Sequence, residues 1–332
     1  MNNLTVKTAN YPYSVGWAIT NICNLHCIHC NMDSGIGLKN ELNTEECFKI
    51  IDELRDNNVQ KICFFGGEPF ARKDFLKIVD YAFNKGFFIN VTTNSLLITE
   101  EMIKKDLYKF DLIRVSLDGP TPDTHEFIRN KKGLFNKTIE NIKKLVANGI
   151  DVGVVTCISH KNIDYLEQMV ELLKELKIKR WFLPLLSSAG RGSAISKEVL
   201  TPLEVKKFLV KINDLTKDAP FIVNFDLPYN VLLKERNPNV KSACPAAITE
   251  MAIFANGDVS PCCEIPVIGG NLREDTVKNI WNSSKVFKEF RNKSLIRGKC
   301  GKCEYLINCG GCRANAFIKY NDYLEGDDIC WH

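Results

Sequence analysis

The chain has 332 residues, 45% apolar and 25% charged, ordinary globular values for a length that suits one extended domain plus a smaller module. Lys and Arg number 44 against 40 Asp and Glu, too small an excess to imply a nucleic-acid or acidic-membrane partner. No secretory n-region and h-region opens the sequence and no apolar run approaches the ~18 residues of a membrane span, so the expected location is cytoplasmic.

Short β-rich runs alternate with helical patterns along the first two thirds. SVGWAIT at 14 to 20, KICFF at 61 to 65, FFINVTT at 87 to 93, LIRVSL at 112 to 117, DVGVVTC at 151 to 157 and KRWFLPL at 179 to 185 read as six strands. Between them apolar residues recur at helical spacing: Cys47, Ile50, Ile51 and Leu54, then Phe75, Ile78, Val79 and Ala82, then Ile139, Ile142, Leu145 and Val146. Thr44 lacks the Glu three residues later that would complete a capping box, while Glu45 and Glu46 suit a first helical turn. Repeated βα units imply an α/β fold with a parallel sheet, doubly wound or a partial barrel. The rhythm breaks after about Thr216, where prolines spread through a region holding eight of the 14 cysteines, and the boundary is expected near residue 235. The units are then 1–235 and 236–332.

Fourteen cysteines are the anomaly of the composition. In a reducing compartment clustered cysteines are metal ligands or catalytic groups more often than disulfides, so their spacing carries the argument. Cys23, Cys27 and Cys30 follow the first strand directly, on the sheet edge where parallel α/β folds place chemistry. Three thiolates on a [4Fe-4S] cluster leave one iron open to a small chelating molecule. The competing reading is a zinc site that borrows His26 or His29 as fourth ligand.

Cys-x3-Cys-x2-Cys on this loop resembles the signature of the radical S-adenosylmethionine (SAM) superfamily, and FFGGEPF stands after the second strand where that family carries a Gly-Gly-Glu-Pro element. The resemblance implies a partial (β/α)6 TIM-like barrel, with a SAM-binding [4Fe-4S] cluster on Cys23, Cys27 and Cys30. It also implies that Gly66, Gly67, Glu68 and Pro69 hold the SAM amino group. Thr93 and Asn94 at the end of the third strand, and Ser116 and Asp118 at the end of the fourth, are further candidate SAM contacts. For Asp118 and Gly119, turn chemistry is the plainer reading. Arg129 and Arg191 are candidates for an anionic carboxylate, against the alternative of solvated surface arginines. His29 stands where the family usually has an aromatic residue.

Toward the C-terminus, Cys244, Cys262, Cys300, Cys303, Cys309, Cys312 and Cys330 follow in an order that resembles the SPASM module, a small cysteine-rich iron–sulfur extension of radical SAM enzymes. The resemblance implies two auxiliary [4Fe-4S] clusters, one on Cys300, Cys303, Cys309 and Cys330, the other on Cys244, Cys262 and Cys312. For the run from Cys300 to Cys312 a four-cysteine zinc knuckle is the alternative. Cys47, Cys63 and Cys157 lie on apolar faces and are expected to pack as small hydrophobes. Cys263 directly follows a proposed ligand and is the candidate catalytic residue, as donor of a hydrogen atom or proton. A fourth cluster ligand and a packed thiol are its other readings.

The implied activity is reductive SAM cleavage to a 5′-deoxyadenosyl radical, which abstracts hydrogen from a large substrate, with flavodoxin or ferredoxin as electron donor. The SPASM resemblance favours a peptide or protein side chain, as in maturases. CGGCRANAF and NDYLEGDDIC also look like radical SAM proteins of heme and tetrapyrrole biosynthesis, the alternative reading. Residues 1 to 13 are too few for the leader-binding domain of many peptide maturases. A non-catalytic iron–sulfur or zinc scaffold is the reading from another class, and it would leave GGEP and an open-site triad without purpose.

Overall fold

Strand alternation divides the work of the sheet. Val15, Trp17 and Ile19, Ile62 and Phe64, Ile89 and Val91, and Ile113 and Val115 are fully buried in the main core. The intervening positions, among them Gly16, Cys63, Thr92, Arg114 and Gly153, therefore face the other side of the sheet. The computed structural model describes residues 4–225, 227–233, 237–242 and 244–332. In chain order the barrel runs β1 (Ser14–Thr20), α1 (Thr44–Asp56), β2 (Lys61–Gly66), α2 (Phe75–Asn84), β3 (Phe88–Thr93), α3 (Glu100–Lys105) and β4 (Leu112–Ser116). It continues with α4 (Pro122–Arg129), α5 (Leu134–Ala147), β5 (Val152–Val155), α6 (Leu166–Glu175), β6 (Arg180–Phe182) and α7 (Pro202–Leu215).

The chain then adds β7 (Ile222–Phe225), β8 (Val240–Ser242), β9 (Glu250–Ile253), β10 (Asp258–Ser260) and β11 (Gly270–Asn271), followed by α8 (Val277–Ser283), α9 (Lys285–Arg291), α10 (Gly298–Gly301) and α11 (Arg313–Tyr320). All eleven strands form one sheet in the order β11-β10-β9-β1-β2-β3-β4-β5-β6-β7-β8. Its two edges, β11 and β8, lie at opposite ends of that order, so the barrel is partial. The six expected strands are present and parallel, and β7 and β8 extend the parallel run beyond them. Residue 235, the expected boundary, lies outside the described residues. On the far side β9 pairs parallel with β1, and β10 and β11 return antiparallel. The Asn256-Gly257 turn joins β9 to β10 with Gly257 at φ +89, a conformation that favours glycine.

Local chemistry explains the helix starts. The capping box of α1 begins one residue earlier than Thr44: the Asn43 side chain accepts from Glu46 N at 3.0 Å, and the Glu46 carboxylate accepts from Asn43 N at 2.8 Å. Asn caps as well as Ser or Thr, and from position 43 the Glu falls at the third helical residue. The buried faces of α1 and α2 are the apolar sets read from their spacing.

Arg72, just past the Gly-Gly-Glu-Pro element, ties three segments together. Its Nη1 donates to Ile19 O at 2.7 Å, its Nη2 to Leu42 O at 2.8 Å, and its Nε to the Asp74 carboxylate at 2.8 Å. Arg72→Met would take this donor from two carbonyls and leave Asp74 with Thr44 but no counterion, and we expect a loss of about 3 kcal/mol, read as a lower denaturant midpoint at unchanged slope. An unchanged midpoint would show that these bonds are replaced by water at no cost.

Candidate active site

The loop after β1 carries Cys23, Cys27 and Cys30, and three neighbouring segments hold it by its backbone. Gly67 N donates to Thr20 O and Glu68 N to Ile22 O, each at 2.8 Å. A Cβ on Gly67 would lie 2.1 Å from Ile22 O, and one on Gly66, at φ +131, 2.4 Å from Thr20 O. The two glycines thus let one loop backbone lie directly on the other. From the loop after β6, Arg191 N donates to Cys30 O at 3.0 Å, Arg191 Nε to Cys27 O at 2.8 Å and Arg191 Nη1 to Ser34 O at 3.0 Å. From α4, Arg129 Nη1 reaches Cys27 Sγ at 3.9 Å.

Glu68 is buried at 1% exposure. Its Oε1 accepts from Thr93 Oγ1 at 2.7 Å and Phe70 N at 3.2 Å, and its Oε2 from Asn94 N at 2.8 Å. Burial outweighs these bonds and pushes its carboxyl up to about 7. Asn94 Nδ2 donates to Asn24 Oδ1 at 2.7 Å, joining the end of β3 to the cysteine loop. Pro69 opens the short 3-10 turn Pro69–Ala71 and is buried.

Asp118 and Arg129 form a buried pair, Nε to Oδ2 at 2.6 Å, and Asp118 Oδ1 accepts from Cys157 N at 3.0 Å. Burial pushes the Asp118 carboxyl up, but the Arg129 charge and smaller contributions from His29 and His125 bring it below the ordinary carboxylate range. His29 is half-buried, and desolvation of its ring lowers its pKa to about 4.

A cavity of about 260 Å³ gathers Cys23, Cys27, Cys30, Gly66, Gly67 and Glu68. Thr93, Asn94, Ser116, Arg129, Arg191 and Cys263 also line it, whereas Asp118 and Pro69 stand behind its wall. A second, more open cavity of about 720 Å³ shares Asn31, Met32, Cys263 and Glu264 with the first and forms an antechamber. Glu264, not singled out from sequence, accepts from Asn31 Nδ2 at 2.7 Å and so binds the C-terminal part to the cysteine loop. Its position beside Cys263 was the only available signal. Cys263 begins a turn after β10, and its thiol lies against that of Cys262, so these adjacent side chains are not splayed to opposite faces.

The structure brings Cys244, Cys262 and Cys312 close enough for their charges to act on one another, and likewise Cys300, Cys309 and Cys330. Cys303 Sγ accepts from Tyr305 N at 3.4 Å. Gly310 and Gly311, at φ +77 and +70, turn the chain between Cys309 and Cys312. Cys47 and Cys157 are buried, while Cys63 is half-buried on the inner face of β2.

Comparison with known proteins matches residues 17–173 to the radical SAM superfamily and residues 244–310 to SPASM, an iron–sulfur cluster-binding domain. The mycofactocin maturase MftC of Mycolicibacterium smegmatis is 30% identical across 92% of this chain and 79% of its own. The chain belongs to the radical SAM superfamily. The AdoMet-dependent heme synthase of Methanosarcina barkeri is 28% identical across 98% of both chains. Among solved structures, Streptococcus suis SuiB bound to precursor peptide SuiA superposes with a TM-score of 0.80 at 19% identity, over 97% of this chain and 76% of that one, a likeness of fold.

A radical SAM enzyme with a SPASM domain uses a SAM-binding [4Fe-4S] cluster, auxiliary clusters and SAM. The donor set fits iron–sulfur groups. Backbone N–H groups point at Cys30, Cys262, Cys300, Cys303 and Cys309 Sγ at 3.3 to 3.4 Å, an arrangement that suits anionic sulfur. Burial, with smaller contributions from neighbouring cysteines, pushes the Cys23, Cys244 and Cys309 thiols up to about 11, so a bound metal is what would keep them as thiolates. Among the described residues no three His, Cys, Asp or Glu side chains converge on a single metal ion.

Because the cysteine loop rests on Gly67, Gly67→Ala must push the two backbones apart. We expect the reconstituted variant to hold about four fewer irons than the wild type, the content of one cluster, while the auxiliary clusters stay. Full iron content in this variant would mean that the loop tolerates the displacement.

Proposed function

We propose that this radical SAM enzyme modifies a peptide or protein side chain. The antechamber carries the reading. Three carboxylates, Asp33, Asp258 and Glu264, line it together with asparagines and apolar groups such as Phe254 and Ile268, and among the described residues its lining holds no Lys, Arg or His. Peptide backbone and apolar side chains suit such a wall, whereas a tetrapyrrole bearing several carboxylates would meet like charge there. The tetrapyrrole reading keeps one specific support, the end-to-end match to a heme synthase.

When bound, the reduced cluster and SAM supply the hydrogen-abstracting chemistry, with an electron from a donor such as flavodoxin or ferredoxin. The roles of this chain's own residues follow from position. Cys23, Cys27 and Cys30 hold the cluster. Glu68 has three of its four acceptor sites occupied and offers the last to the SAM ammonium. Gly66, Gly67 and Pro69 shape that loop, and Thr93, Asn94 and Ser116 complete the wall. Arg129, steadied by Asp118, and Arg191 hold the cysteine loop and set positive charge beside it. The other seven cysteines of the SPASM pattern hold the auxiliary clusters. Cys263 lines both cavities and is placed to give a hydrogen atom or proton to substrate.

Three observations test this assignment. Anaerobic turnover should form 5′-deoxyadenosine together with a mass-shifted peptide encoded beside the gene, and replacing Cys23, Cys27 and Cys30 by Ala should abolish both. Modification of an iron porphyrin with no change in any such peptide would select the other substrate. Cys263→Ser should keep its iron and its SAM cleavage but lose at least ~90% of product, the factor of ten or more expected of a positioned proton or hydrogen donor; unchanged product would remove Cys263 from the chemistry.

Proton linkage gives a further test. A carboxyl held near 7 is largely protonated at pH 6, and an ammonium beside it lowers that value, so SAM binding should release close to one proton at pH 6 and almost none above pH 8. Calorimetry in buffers of different ionisation enthalpy reads the number. Glu68→Gln should abolish the release, and a release that persists in this variant would exclude Glu68 as its source.

A further inference from the structure

Arg114 is a half-buried cation on the inner face of β4 that neither the clusters nor the core explains. Its register partners are Thr92 on β3 and Gly153 on β5. Thr92 lines the barrel cavity, and so does Ser116, two residues further along the same face of β4. Arg114 therefore lies on the same inner face, one step below the residues that line the cavity.

The surroundings seat its guanidinium on an aromatic ring. Arg114 Cζ lies 4.3 Å from the centroid of the Phe182 ring, a stacking distance. Phe182 in turn lies across Gly153, where a Cβ would come within 3.0 Å of the ring. Glycine at 153 thus makes room for the aromatic platform.

Among the described residues one of the guanidinium's donors is buried and unused, and another has only a weak acceptor. The one described side-chain partner is Cys63 Sγ at 4.0 Å, and Arg114 Nε is buried with no partner. Glu250, the nearby carboxylate that also acts on Cys63, is engaged by Ser14 Oγ at 2.9 Å. A guanidinium has five N–H donors in a planar fork that matches a carboxylate, and such a group left half-buried without a counterion is costly.

We propose that Arg114, seated on Phe182, binds a carboxylate of the substrate on the inner face of the barrel and so determines specificity. The peptide-maturase reading identifies that carboxylate as an Asp or Glu side chain close to the modified residue, and the inference rests on that reading for its source. Arg129 and Arg191 also line the chamber but are engaged by Asp118 and by the carbonyls of the cysteine loop, which leaves Arg114 for a carboxylate carried in on a peptide. The propionate of a porphyrin has the same chemistry and is the other source.

The test uses reconstituted enzyme with SAM already bound, so that the SAM carboxylate is not the group being read. Two probe pairs are titrated by calorimetry: Ac-Gly-Glu-Gly-NH2 against Ac-Gly-Gln-Gly-NH2, and iron coproporphyrin III against its tetramethyl ester. At least one acid should bind about tenfold or more tightly than its neutral partner, and Arg114→Gln should reduce that preference to about twofold or less. Phe182→Leu, which keeps the charge and removes the platform, should give an intermediate preference. If Arg114→Gln fails to take up its iron, the wild-type pairs and Phe182→Leu carry the test. Equal binding of acid and neutral probes, no binding of either acid at millimolar concentration, a preference that survives Arg114→Gln, or one left undiminished in Phe182→Leu would overturn the proposal. An Arg114-dependent preference for the porphyrin acid alone would uphold the role of Arg114 and overturn the peptide reading.

Discussion

The contact on which the site depends is backbone against backbone: Gly67 lies so close to Ile22 that no side chain fits between them. It brings the ends of β1 and β2 together at one rim and gives the cysteine loop a rigid bed. Gly190 repeats the device from the loop after β6, where a Cβ would stand 2.5 Å from Cys30 O. Between these two approaches the loop has its carbonyls bound by Arg191 and a thiol approached by Arg129. A cluster site needs its ligands held within a few tenths of an ångström, and hydrogen bonds to the loop backbone achieve this without occupying the thiols.

The same strands that build the core also line the chamber, because alternate residues point to opposite faces. The helix-facing set is Val, Ile, Trp and Phe at full burial, and the inner set contains Gly16, Thr92, Arg114, Ser116 and Gly153. Small and polar inner residues leave space where a closed barrel would be packed with branched side chains. That space is why an arginine stacked on an aromatic ring persists inside the sheet, and why Cys63 meets a cation where its sequence surroundings suggested apolar packing.

The C-terminal part is joined to the barrel by more than a linker. Its first strand, β9, adds directly to β1, and the turn after β10 carries Cys262, Cys263 and Glu264 to the wall shared by the two cavities. The Asn31–Glu264 hydrogen bond closes the seam from the barrel side. The wall between the two cavities is thus built from residues of both parts.

Much of this was legible in the amino-acid order, since each legible feature depends on neighbours along the chain. The six βα strands, the buried faces of α1 and α2, the cysteine triad after β1 and the Gly-Gly-Glu-Pro element after β2 are local patterns with a fixed period or spacing. Where local signals competed, sequence reasoning slipped by a residue, as at Asn43 against Thr44, since both residues can cap a helix and only the formed turn selects one. Contacts between segments far apart in the chain had no such signal. Arg129 and Arg191 show a basic side chain in sequence, but whether it meets solvent, a ligand carboxylate or the protein's own Asp118 and Cys27 carbonyl depends on which strand ends the barrel brings together. The addition of β9 to β1, the turn that sets Cys263 beside Cys262, and the seating of Arg114 on Phe182 over Gly153 are likewise decisions of sheet register and closure, which arise only when all the strands are in place.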